Sequence, residues 1–336
     1  MSYEFIIPEN YSSKLNLRDT ERAIKLVKDT FENNLAANLN LDRVSAPLFV
    51  GCNSGLNDNL NGVERPVVFD ILDIGENFEI VHSLAKWKRL ALYRYSFEAG
   101  SGLYTDMNAI RRDEELDNLH SVYVDQWDWE MVITREERNR EFLHSVVDKI
   151  IKAVKDTENE VVKKFPLLTP FINEEVKYIT SEELLNLYPD KTPKEREHLI
   201  AKKYKTVFIE QIGKTLSNGE KHDGRAPDYD DWELNGDILI YDDILDRSVE
   251  ISSMGIRVDE KSMLSQLEKS GCLERRNLEF HKLLLDGKLP LTIGGGIGQS
   301  RLCMLLLQKA HVGEVQAAVW KREMIDTCHK NNIFLL

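Results

Sequence analysis

Apolar residues recur every three or four positions from Asp19 to Leu39, where Ile24, Val27, Phe31 and Leu35 share one side of a helix. The same spacing predicts a second long helix from about Glu136 to Val162, carrying Phe142, Val146, Val147, Ile150, Ile151 and Val154. Two capping boxes mark further helix starts. One is Thr180 with Glu183; the other is Thr192 with Glu195, strengthened by Pro193 at a position that needs no N–H. Elsewhere the period shortens to two. Arg65 to Val81 predicts two short strands, and Ala99 to Met131 a long hairpin tipped by the polar run Arg111 to Asn118. Pro47 ends regular pairing or sits on a sheet edge. Strands are expected at Thr206 to Ile212, Asp237 to Tyr241 and Ser248 to Arg257, with a polar loop from Gly213 to Gly236. Helices are expected at Glu260 to Lys269 and Glu274 to Asp286, and a glycine run then opens a last apolar helix. Lys86 to Arg94 reads as an amphipathic helix with a solvated basic face.

Strands and helices mix without a strict βαβ alternation. That favours an α+β fold with a mainly antiparallel sheet flanked by helices over a doubly wound parallel one. No Pro/Gly/Ser-rich linker divides the chain, so one domain, 1–336, is expected.

Charge and cysteine usage narrow the function. The net charge of -13 repels a phosphate backbone, so stable nucleic-acid binding is not expected. The longest apolar run, Leu302 to Leu307, is far too short to span a membrane. The first residues lack a secretory layout, and the four cysteines, Cys52, Cys272, Cys303 and Cys328, form no CxxC pair. Reduced thiols in a cytoplasmic protein are the expectation. The eight histidines include no HExxH, and none is assigned to zinc.

Five stretches concentrate chemistry. Gly294-Gly295-Gly296-Ile297-Gly298-Gln299-Ser300-Arg301 combines close backbone approach, a helix start and a guanidinium fork, which suits a phosphate or a nucleobase face. A glycine run can also be a tight turn; it is neither a Walker loop nor a dinucleotide fingerprint. From His120 to Glu130, alternation places Val122, Val124, Gln126, Asp128 and Glu130 on one face, with Trp127 and Trp129 on the other. Such a face is either a solvated edge or a site with partnered acids. His222 to Trp232 crowds acids, Arg225 and aromatics into a loop, either ligand-binding or simply solvated. Glu250 to Arg257 and His82 to Arg89 complete the set.

Taken in chain order, His82 to Arg89, His120 to Glu130, Arg225 to Trp232, Ser252 to Arg257 and Gly294 to Arg301 resemble the asparagine synthetase A (aspartate–ammonia ligase) family, from about residue 11 to the C-terminus. That family is similar to the catalytic core of class II aminoacyl-tRNA synthetases, with Pro47, Arg111 and Arg301 resembling their three motifs. The resemblance implies an ammonia-dependent ligase that adenylates the side-chain carboxylate of aspartate with ATP and lets ammonia displace AMP. It also implies a homodimer. By likeness, Arg111 and Arg301 grip the ATP phosphates beside Gly296 and Gly298, and Glu250 helps hold Mg2+. Ser83, Lys88, Gln126, Asp128, Asp230 and Ser253 surround the amino acid with Asp58, and Arg225 and Arg257 complete the pocket. Strict alternation puts Glu250 and Ser253 on opposite faces, so a bulge is required if both meet ligands. The interval from Trp232 to Leu234-Asn235-Gly236-Asp237 looks short for the family.

Ammonia must attack as NH3, so a carboxylate able to attract ammonium and take its proton is needed. Asp58, in the Gly- and Asn-rich stretch Gly51 to Gly62, is the candidate, with a plain turn-forming role as its alternative. Glutamine-using synthetases of the other family need an N-terminal nucleophilic Cys, where this chain has Ser2, so ammonia itself is the expected nitrogen source. The competing readings are an aspartyl-tRNA synthetase-like enzyme, against which stands the lack of a separate anticodon-binding domain, and a non-catalytic regulatory paralogue, which would be expected to lose Arg111, Glu250 and Arg301.

Overall fold

Asn16 accepts a hydrogen bond from the Asp19 amide at 2.9 Å and so starts α1 (Leu17–Leu39), whose buried stripe is Ala23, Val27, Phe31 and Leu35. The computed structural model describes residues 5–57 and 64–336. After α1 come β1 (Leu41–Arg43), β2 (Phe49–Gly51), β3 (Val68–Ile71), β4 (Glu76–Ile80) and α2 (Ala85–Arg94). The expected hairpin is β5 (Gly102–Ile110) and β6 (Tyr123–Val132), followed by α3 (Arg140–Lys164). Then come β7 (Lys177–Thr180), α4 (Ser181–Leu187), α5 (Pro193–Tyr204) and β8 (Thr206–Glu210). Both capping boxes are formed, at the starts of α4 and α5.

The remainder is β9 (Asp230–Asp242), β10 (Arg247–Arg257), α6 (Glu260–Lys269), α7 (Glu279–Leu285), β11 (Thr292–Gly298), α8 (Gln299–Leu306) and α9 (Arg322–Lys330). Three expectations change here. The glycine run is a strand, β11, and α8 begins only at Gln299. The expected polar loop ends early, because Asp230 already belongs to β9; Trp232 and Leu234 to Asp237 are continuous strand, so no loop varies there. The helix expected from Glu274 breaks at Leu278 between a 3-10 turn and α7.

Eight strands form one sheet in the order β1-β5-β6-β11-β10-β9-β8-β7. The inner pairings are antiparallel, while β1 with β5 and β7 with β8 are parallel. The sheet is therefore mixed, and the expectation of a mainly antiparallel one describes its interior alone. The parallel edges arise where a helix carries the chain across: α4 and α5 lie between β7 and β8. A separate three-stranded sheet has the order β2-β4-β3.

α1, α3 and α8 cover one face of the large sheet and share its main core with Trp127, Trp129, Met254, Ile256, Ile293 and Ile297. Phe31 meets Trp127 with ring centroids 4.7 Å apart. Because side chains alternate, burying Trp127 and Trp129 against the helices turns Gln126, Asp128 and Glu130 to the opposite face. No helix among the described residues is long and apolar enough to cross a membrane.

Candidate active site

The polar face of β6, β10 and β11 floors a cavity of about 420 Å³. Its construction follows from register. Gly298, Gly296 and Gly294 of β11 stand opposite Gln126, Asp128 and Glu130 of β6. A Cβ on Gly296 would come within 2.6 Å of the Gln126 Oε1 and 2.8 Å of the Asp128 Oδ1. On Gly294 it would collide with the Glu130 carboxylate and reach within 2.7 Å of the Arg257 Nη2. These glycines therefore make room for the polar side chains of the neighbouring strand.

The expected anion cradle at the start of α8 is already filled by the protein. Asp125 accepts from the Ser300 amide at 3.0 Å and from its hydroxyl at 2.8 Å. Gln316 Nε2 also donates to Asp125, at 3.2 Å, and Lys28 of α1 pairs with it at 3.0 Å. Arg301, one residue on, directs its Nη1 to the Glu250 carbonyl at 2.7 Å and lines the cavity.

A line of buried charges crosses the floor. Glu130 accepts from Arg257 Nε at 2.9 Å and from Nη2 at 2.7 Å, while the Thr292 hydroxyl donates to it at 2.7 Å. Arg257 also donates to Asp230, and Arg225 pairs with Asp237 at 2.6 Å and donates to Ser253. Burial works against the Glu130 anion, but Arg257 and Lys88 hold its carboxyl below the ordinary value. Lys88 of α2 reaches down to Asp128 Oδ1 at 3.0 Å and the Gly295 carbonyl at 2.9 Å; burial pulls its ammonium below the ordinary value against the attraction of Asp128. Of the basic residues expected on a solvated face, Lys86, Lys88 and Arg89 are thus buried, while Arg94 is exposed. Lys86 lies 3.6 Å from Asp228, and Arg89 donates to the carbonyls of Pro290 and Val258, both at 2.8 Å.

Ser83, Lys88, Arg111, Gln126, Asp128, Arg225, Asp230, Glu250, Ser253, Arg257, Gly296, Gly298 and Arg301, the residues implicated by sequence, all line this one cavity. Asp58 lies outside the described residues. Register orders the others. Arg111 follows β5, whose Ile110 is paired with Tyr123, and Arg301 follows Gly298, paired with Gln126. Both guanidinium groups thus stand towards the Tyr123 end of β6, and Arg257 stands by Glu130 at the other. Glu250 and Ser253 both reach the cavity because the pairing of β10 with β9 slips between Glu250 and Ser252, which supplies the required bulge. Buried polar atoms of the lining residues, among them Asp128 Oδ2, Arg111 Nε, Arg225 Nε, Ser252 Oγ and Gln316 Oε1, have no hydrogen-bond partner among the described residues. At a ligand site such atoms are available to substrate.

Sequence reasoning placed Glu130 on the right face but gave it no role, and it missed Asp125 and Asp237. The signal for Glu130 was the matched two-residue rhythm of acids on one strand and glycines on another. Asp237 bears on the metal. Burial pushes its carboxyl up to about 7, with Arg225 opposing the shift and Glu250 adding to it. Asp237 and Glu250 both line the cavity and repel one another. Among the described residues no group of three or more His, Cys, Asp or Glu side chains is placed to hold a metal by itself, so the pair fits a divalent ion only if phosphate oxygens complete its shell.

The family model for aspartate-ammonia ligase matches residues 18–332. The chain belongs to the aspartate–ammonia ligase family. It is accordingly a ligase. It is 61% identical to the aspartate–ammonia ligase of Clostridium tetani over 336 residues, covering 100% of this chain and 98% of that protein. Against the Clostridium perfringens family member the identity is 61% over 334 residues, covering 99% of each. Among solved structures, asparaginyl-tRNA synthetase from Entamoeba histolytica, in complex with asparaginyl-adenylate, superposes with a TM-score of 0.65 at 12% identity, over 89% of this chain and 66% of that one. The Pyrococcus horikoshii asparaginyl-tRNA synthetase, also complexed with asparaginyl-adenylate, gives a TM-score of 0.63 at 15% identity, over 93% and 74%. The chain thus shares the fold of these synthetases.

Proposed function

We propose that the enzyme makes asparagine from aspartate and ammonia through an aspartyl side-chain adenylate. The observation that carries the reading is the polarity of the cavity: Arg111 and Arg301 at one end of β6, and Lys88, Asp128, Asp230, Arg225 and Arg257 towards the other. An amino acid that brings one ammonium and two carboxylates needs both signs of charge, whereas a triphosphate needs cations. The names of the relatives support the substrates, and the adenylates in the fold neighbours support the intermediate.

Asp128 and Asp230 would receive the α-ammonium, the former through its unpartnered Oδ2. Arg225 and Arg257, fixed by their own carboxylates, would hold substrate carboxylate charge without reorganising. A side-chain carboxylate oxygen then attacks the α-phosphorus of ATP, the bond to the β-phosphate oxygen breaks, and pyrophosphate leaves with the electron pair. Arg111 and Arg301 stabilise charge on the phosphate oxygens in transit. Mg2+, held by Glu250 with Asp237, would supply further neutralisation of the phosphates. Ammonia next adds to the acyl carbon and AMP departs with the electrons of its bond. Asp58 is proposed to draw in ammonium and take the proton.

The same reading makes the chain one catalytic domain and a homodimer formed through α1 and the Pro47 segment. Leu48 and Phe49, beside Pro47, are apolar and exposed, which supports the interface. Sedimentation at micromolar concentration should give a dimer; an active monomer rejects that part. The main test follows the products of aspartate, ATP, Mg2+ and ammonium. Asparagine with AMP and pyrophosphate is expected, and release of ADP with phosphate would sink the adenylate reading.

A further inference from the structure

A smaller cavity of about 130 Å³ adjoins the main one, with Glu250 and Arg301 among the residues lining both. To these the side chamber adds Lys194 and His198 from α5 and Arg247 and Ser248 from the start of β10. None of the four was singled out by the sequence, and none belongs to the main cavity.

Its charge is informative. Lys194, Arg247 and Arg301 bring positive charge to a chamber that His120 and His198 also line. The carboxylates are Glu197 and Glu250. Glu197 is engaged, accepting from Lys194 at 3.1 Å and facing His222 Nε2 at 3.2 Å. Lys194 also lies 3.5 Å from Asp223, so the chamber's positive charge comes mainly from Arg247 and Arg301. Glu250 stands on the divide, in the place proposed for the metal. The chamber therefore presents positive charge and a hydroxyl at the phosphate end of the main cavity. Such a lining favours an anion over ammonium. It suits a small polyanion.

We infer that the side chamber is the subsite for departing pyrophosphate, with Arg247 and Lys194 as its principal ligands. The inference rests on the adenylate reading, because a route through an acyl phosphate releases no pyrophosphate. Once the bond between the α-phosphorus and the β-phosphate oxygen breaks, the leaving group needs new cationic partners to move away from the adenylate. Arg301, on the wall between the spaces, can serve it before and after that movement, while Arg247 and Lys194 serve it only after. The two chamber cations should thus act on pyrophosphate more strongly than on aspartate.

The test is aspartate-dependent exchange of labelled pyrophosphate into ATP, without ammonia, for the unmodified enzyme, Arg247→Gln and Lys194→Gln. Loss of one charge-assisted contact is expected to raise the KM for pyrophosphate about tenfold, with the KM for aspartate moving less than twofold. Arg247→Lys should recover part of the loss in its series. A pyrophosphate KM unchanged in both Gln variants overturns the subsite and leaves the adenylate reading standing. Parallel rises in both KM values also overturn it, since they mark a structural role. ADP release by the unmodified enzyme, with no exchange, instead overturns the adenylate reading beneath it.

Discussion

Glu130 and Arg257 form a two-point ion pair across the floor of the cavity, with Nε and Nη2 of the guanidinium donating at 2.9 and 2.7 Å. Both side chains are buried, and Gly294 of the intervening strand β11 leaves the space they occupy. The pair fixes the fork that Arg257 presents to Asp230 and to substrate. A cation so held is already oriented before the ligand arrives.

Removing one partner of this pair should be costly. Glu130→Gln is expected to destabilise the protein by about 3 kcal/mol, measured by denaturant unfolding at pH 7. The sign of the pH dependence follows from the lowered carboxyl. Its contribution is fully present above the ordinary carboxylate value of about 4.3 and is lost as pH falls through the lower folded value. The stability curves of variant and unmodified protein should therefore converge in acid. Parallel curves down to pH 3 would show that folding does not lower the Glu130 carboxyl.

Gly294→Ala tests the space itself. The added methyl collides with the Glu130 carboxylate and Arg257, so a loss of about 1–3 kcal/mol is expected. The KM for aspartate should rise at the same time, because Arg257 is pushed from its place. Gly51→Ala, where nothing lies within 4 Å of the new Cβ, is the control. Equal effects at both sites would reject the steric account.

Asp125→Asn addresses the start of α8. It weakens the cap on Ser300 and the pair with Lys28, for an expected loss of about 1–2 kcal/mol. Since Arg301 is the next residue, kcat/KM for ATP should fall more than kcat/KM for aspartate. A uniform fall, or none, would disconnect Asp125 from the placement of Arg301.

Arg301→Lys keeps the charge and removes the planar fork. If the fork acts mainly on transferring phosphate, kcat falls about 10²-fold or more with a smaller rise in the KM for ATP. A rise in KM alone would assign Arg301 to ground-state binding.

The family resemblance implied that residues of five separate motifs share one pocket, and the sequence pattern by itself determined the long helices, the β5–β6 hairpin and both capping boxes. Those features are written in local periods and in side-chain chemistry: Val27 and Phe31 can only share a helix face, and Asp128 and Glu130 can only share a strand face. The need for a bulge between Glu250 and Ser253 was legible for the same reason. Tertiary structure alone decided what the glycines and bases do. Gly294 to Gly298 form a central strand because β6 and β10 flank them, and no local signal distinguishes that from a loop opening a helix. Lys86, Lys88 and Arg89 looked like a solvated face because their partners, Asp228, Asp128 and the carbonyls of Val258 and Pro290, are remote in sequence. The roles of Asp125, Glu130 and Asp237 were hidden likewise. A buried charge is stable only beside its counter-charge, and which residues become neighbours is fixed by sheet order and register, which the period of a single segment does not encode.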